Sequence, residues 1–103
     1  MPNITTKDFL KKLELNQVVA LEIMKRKNSD YAGVGDPFKN FKNVEMLGVC
    51  SVEAGLVVRI TDKLSRISNL IKQDAKVKDE SISDTLIDLM NYTNILKVYI
   101  NNK

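Results

Sequence analysis

Two stretches of this chain carry side chains able to hold a metal ion and a polyphosphate between them. The first holds Arg59, Asp62, Lys63 and Arg66; the second holds Glu80, Asp84, Asp88 and Asn91. On a helix, residues three, four, seven or eight apart share a side. Arg59, Asp62 and Arg66 then fall within roughly 60° of one another, and the four residues of the second stretch within roughly 80°. Carboxylates beside guanidinium groups suit a Mg²⁺–polyphosphate ligand. Hard cations take oxygen ligands, and the planar Arg fork matches phosphate.

Both stretches need helices, and the apolar spacing predicts three main ones. Thr5 or Thr6, followed by Asp8, is a suitable start for helix A. Phe9, Leu10, Leu13, Val18, Val19, Ile23 and Met24 keep a helical period to about Lys27. Residues 28–43 then hold two Gly, one Pro and no sustained period, with Tyr31, Phe38 and Phe41 among them. An ordered lid or binding loop is expected there, because long loops in compact domains tend to be functional and aromatic residues argue against disorder. Helix B is expected from Val44 to about Lys72, bent near Gly48 or Gly55, burying Val49, Leu56, Ile60, Leu64, Ile67 and Ile71. Glu53 falls on that apolar side, so it needs a partner, a metal or a subunit interface. After a short polar link, Asp79 can cap helix C, which runs to about Ile100. The connection lets B and C lie antiparallel. No strand pattern stands out, so the class is all-α.

Composition narrows the function further. The 103 residues make one domain, residues 1–103, whose modest core oligomerisation would help to complete. A homodimer or homotetramer is expected, packed through helices B and C, because helix C is apolar on more than one side. Net charge is +3 and the lysines are scattered, which does not make a nucleic-acid patch. There is no histidine, which removes a His triad and a His-ligated zinc site. The single cysteine, Cys50, cannot form an intramolecular disulfide. No apolar run reaches a membrane span and the start lacks a signal peptide, so a cytoplasmic protein is expected.

Plainer readings stand beside the chemical one. The acidic stripe suits a solvated helix face, with Glu80 and Asp84 favoured by the helix dipole. Asp88 and Asn91 are poor helix formers in mid-helix, and their side continues into Ile95 and Val98, which favours a cleft. Asp62 can pair with Arg66 four residues on, a contact worth a few tenths of a kcal/mol. That pair requires no second Arg, so Arg59 and Lys63 point to polyphosphate. Asp30-Tyr31 and Phe38 fit either a plug over the core or a base-stacking element.

Four segments together resemble a known family: Lys27-Asn28-Ser29-Asp30-Tyr31, Asp36-Pro37-Phe38-Lys39-Asn40-Phe41, the Arg59–Arg66 cluster, and Glu80 to Tyr92. They are similar to the nucleotide-modification-associated domain family of phages and bacteria, which itself resembles the all-α MazG-like nucleotide pyrophosphatases. The resemblance covers about residues 20–100 and implies a MazG-like helical bundle. It also implies a Mg²⁺-dependent (deoxy)nucleoside triphosphate pyrophosphohydrolase, with Asp62, Glu80 and Asp84 as metal ligands and catalytic residues. Lys27, Asp30, Tyr31, Phe38, Asn40, Arg59, Lys63, Arg66, Asp88 and Asn91 would bind the nucleotide. Asp84 and Asn91 keep the seven-residue spacing of the MazG-like acidic motif. Glu80 stands four rather than three before Asp84, and helix B has no Glu-x-x-Glu. The alternative is a non-catalytic protein that sequesters a nucleotide or nucleotide-derived signal.

Overall fold

The computed structural model describes residues 3–31, 35–73 and 75–103, with side chains for all of these except 29–31 and 75–80. The described residues form four helices: α1 (Thr6–Tyr31), α2 (Lys39–Met46), α3 (Val52–Leu70) and α4 (Ala75–Asn102). The all-α expectation holds. Thr5 starts α1, its Oγ1 accepting the Asp8 N–H at 3.1 Å.

The expected loop is shorter, because helices take both its ends. α1 continues past Lys27 to Tyr31, and α2 begins at Lys39. Asp36 organises the approach to α2. One carboxylate oxygen accepts the Phe38 N–H at 2.9 Å, two residues on, and the other pairs with Lys42.

The expected long helix B is two helices, and Gly48 is the reason. It adopts φ +77°, a left-handed conformation that glycine tolerates at a helix end. The Gly48 N–H donates to the Glu45 carbonyl and the Val49 N–H to the Val44 carbonyl, both at 3.0 Å. This pair of bonds closes the C-terminus of α2. Ser51 then caps α3, its Oγ accepting the Ala54 N–H at 3.1 Å. Gly55 produces no bend of its own. A Cβ there would meet Val44 Cγ2 at 3.0 Å, so its missing side chain lets α2 lie close on α3.

α3 and α4 form an antiparallel pair. Its register is set by Arg59 opposite Tyr92, Lys63 opposite Asp88 and Arg66 opposite Thr85. α4 starts at Ala75, before the expected cap at Asp79. α1 crosses onto α4 where Asn91 Nδ2 donates to the Ala20 carbonyl at 3.1 Å. The fully buried apolar core is small among the described residues: Ala20, Val52 and Leu56. Of the residues expected to be buried on helix B, Leu56 is buried, whereas Val49, Leu64 and Ile71 are exposed. Val49 belongs to the turn after α2, outside the helical period that placed it inward. Glu53 meets its need for a partner through Lys103 at the other end of the sequence. Among the described residues, no helix is long and apolar enough to cross a membrane.

Candidate functional site

All four helices converge on one small cavity of about 40 Å³. α1 contributes Met24, Lys27 and Asn28, and α2 contributes Asn40 and Phe41. Arg59 enters from α3, and Asp88, Asn91, Tyr92 and Ile95 from α4. Helical spacing explains the α4 set, since residues 88, 91, 92 and 95 recur at three or four and share a side.

The carboxylate of Asp88 sits between two lysines from different helices. Lys27 Nζ lies 3.0 Å from Oδ1 and Lys63 Nζ lies 3.3 Å from Oδ2. Partial burial pushes the Asp88 carboxyl up, and the two lysines together outweigh it, so the group titrates below the ordinary carboxylate value. Asp88 is therefore an anion that holds Lys27 and Lys63 at the pocket wall.

Arg59 is fixed by aromatic rings. Its guanidinium carbon lies 5.3 Å from the Phe41 centroid and 5.7 Å from the Tyr92 centroid. Both distances suit attraction between a cation and the electron-rich ring faces. Nη1 also donates a long hydrogen bond, 3.5 Å, to the Tyr92 hydroxyl. Among the described side chains, two lysines flank the Asp88 carboxylate and Arg59 lines the same cavity, which is large enough for a single small group. Asn91 is 6% exposed and ties α4 to the α1 backbone, so it has a structural duty besides lining the cavity.

The cavity opens toward a wider groove of about 840 Å³, with which it shares Met24, Asn28, Pro37, Phe41, Asn91 and Ile95. Phe38 lines this groove and packs edge-on against Tyr99, with centroids 5.3 Å apart. A mostly apolar cavity carrying a few convergent charged groups, beside a wider cleft, is a common arrangement for small-molecule sites.

The residues expected to bind a nucleotide therefore separate into groups. Lys27, Asn40, Arg59, Asp88 and Asn91 meet at the cavity. Lys63 joins through Asp88, and Phe38 stands in the groove. Arg66 lies farther along α3, where Nε donates to the buried Thr85 Oγ1 at 3.2 Å. The side chains of Asp30, Tyr31 and Glu80 lie outside the described residues. Asp62 and Asp84 are exposed and make no ion pair among the described residues. No group of three acidic or cysteine side chains able to hold a metal ion occurs among those residues, and the Asp62–Glu80–Asp84 set is incomplete there.

Tyr92, Asn28, Met24 and Ile95 line the cavity but were not among the expected site residues. Tyr92 carried a usable signal, standing four residues after Asp88 on the same helical side. Asn28 was marked only as part of the expected binding loop and of the Lys27–Tyr31 segment, because no helical spacing was read there.

A family model described as "Nucleotide modification associated domain 1" matches residues 27–98, and the chain belongs to that family. The match begins at Lys27 and spans every residue of the cavity except Met24. No curated protein and no solved structure matches the chain.

Proposed function

We propose that this protein binds a (deoxy)nucleotide, with a phosphate group held in the four-helix cavity. The observation that carries this reading is the placement of Lys27 and Arg59 in the cavity wall, with Lys63 beside them on the Asp88 carboxylate. An incoming phosphate would accept charge-assisted hydrogen bonds from Arg59, and Lys63 can turn from Asp88 toward it. Arg59 offers a planar donor fork already held between two rings, so little ordering entropy is lost on binding. Asn28 and Asn40 supply amide groups for the sugar or base at the mouth of the cavity. The groove beside Phe38 and Phe41 supplies an apolar surface for the base ring. Membership in a nucleotide-modification family supports the ligand class.

This reading is closest to the sequestering alternative, because its anion recognition is done by the protein's own cations. The hydrolytic reading retains one observation in its favour. Asp62 and Asp84 make no ion pair among the described residues, so both carboxylates remain open to a cation. With Glu80 they would hold Mg²⁺, whose role would be that of a Lewis acid on phosphate, as the likeness to MazG-like enzymes implies.

Calorimetric titration with deoxynucleoside mono- and triphosphates, with and without Mg²⁺, tests the proposal. Binding that persists under chelation and strengthens from mono- to triphosphate is the expected result. Absence of binding to every nucleotide would remove the reading. Release of pyrophosphate in the presence of Mg²⁺ would promote the hydrolytic one.

A further inference from the structure

The chain exposes far more surface than its size requires. Its accessible area is 7872 Å², whereas a compact folded monomer of 11.7 kDa exposes about 5,900 Å². The radius of gyration is 15.9 Å, against about 13 Å for a compact chain of this length. The excess of roughly 2,000 Å² per chain is the amount that an obligate dimer covers between its subunits.

α1 carries a large share of the exposed apolar surface. Among its described residues only Ala20 is buried. Leu10 is 54% exposed, Leu13 40%, Val18 56% and Leu21 54%. By helical spacing these four lie within roughly 140° of one another, with Glu14 and Gln17 between them, while Phe9, Leu15 and Val19 are exposed on the other side. Isolated exposed leucines need no explanation, but this many exposed apolar side chains on one helix do. The spacing also reads the same in both directions. Leu10 and Leu21 stand equally far from the midpoint at Leu15–Asn16, and so do Leu13 and Val18. A two-fold interface requires that self-match, because the same patch must meet itself.

We propose that this side of α1 is the contact surface for a second copy of the chain, the two α1 helices packing antiparallel. Leu10 of each copy then meets Leu21 of the other, and Leu13 meets Val18. A two-fold arrangement of this kind closes after two copies. The outer sides of α3 and α4 remain outside this contact, which differs from packing through those helices. The proposal stands on surface and spacing alone, and because Leu21 also lines the wide groove, the contact borders the surface assigned to the base.

Sedimentation velocity on the full chain at micromolar concentration should give twice the chain mass of 11.7 kDa. The double variant Leu10→Glu/Leu21→Glu places four carboxylates in the contact and should give the chain mass, with helical circular dichroism retained. Met46→Glu/Val49→Glu, at residues 82% and 71% exposed at the end of α2 and in the turn after it, should stay dimeric. Should the α1 variant fail to fold, hydrogen exchange of the unaltered chain still decides. Amides of residues 9–21 should gain protection as concentration rises through the dimerisation range. A monomeric unaltered chain, a dimer that survives the α1 substitutions, or unchanged protection over residues 9–21 would overturn the proposal. A monomer that instead binds anionic lipid vesicles through α1 would overturn it as well, assigning the surface to a membrane.

Discussion

Asp84 and Asp88 stand one turn apart on α4, share a side of the helix, and have different surroundings. Asp88 lies where α1 and α3 both reach α4, and it takes a lysine from each. Asp84 is exposed and has no ion pair among the described residues. Residue type and helical position are alike; the neighbours differ. At Asp88 the carboxylate organises cations, and at Asp84 it remains open to solvent or to a cation. The acidic stripe of α4 is thus two regions, one built into the cavity and one not.

Substitutions around Asp88 should have the larger consequences. Arg59→Ala removes the fixed guanidinium and its contacts with Phe41 and Tyr92. A hydrogen bond to a charged group is worth about 1.5–3 kcal/mol, so nucleotide affinity should fall roughly ten- to hundredfold by calorimetry. Next in size is Asn91→Ala, which removes the buried hydrogen bond that ties α4 to the Ala20 carbonyl of α1. A loss of about 1–3 kcal/mol is expected, read as a Tm lowered by several degrees.

Asp88→Asn should lower affinity for a triphosphate little or raise it, because it removes a negative charge beside the phosphate and releases Lys63 toward it. It should also change the acid limb of stability. The Asp88 carboxyl titrates lower in the folded chain than unfolded. Its contribution is therefore present above the ordinary carboxylate value and lost as pH falls through the lower folded value. Asp36 and Glu53, held low by hydrogen bonds from Lys42 and Lys103, act with the same sign. Asp88→Asn should remove part of the fall in Tm below about pH 4, and an unaltered profile would contradict the pairing. The smallest effect on fold and binding is expected from Asp84→Asn, within about 0.5 kcal/mol in thermal unfolding. If the protein hydrolyses nucleotides through Mg²⁺, this variant should nevertheless lose that activity, which would make Asp84 the second functional region.

Much of this arrangement was legible in the sequence. Helical period gave the all-α class and the antiparallel pairing of the two charged stretches. It also placed Arg59, Asp88 and Asn91 on sides that meet. The division of helix B was only half legible. Gly48 marked a break, but whether a glycine bends or ends a helix depends on the bonds its neighbours make, here those of Gly48 and Val49 to the end of α2. The separation of Asp84 from Asp88 was not legible, because both satisfy the same spacing and the difference comes from α1, which is distant in sequence. Lys27 meets Asp88 across 61 positions, and no local pattern records such a contact. The exposure of Leu64 and Ile71 was likewise hidden, since periodicity marks an apolar side without saying whether anything covers it.

The central claim is that the cations around Asp88 hold a nucleotide phosphate. Its most direct test is a calorimetric titration of a deoxynucleoside triphosphate, in chelator, into the unaltered chain, Arg59→Ala and Asp84→Asn. Phosphate binding in the cavity predicts saturable binding to the unaltered chain, similar binding to Asp84→Asn and a loss of at least about tenfold in Arg59→Ala. Equal affinity in Arg59→Ala, or binding that vanishes in Asp84→Asn, would contradict it.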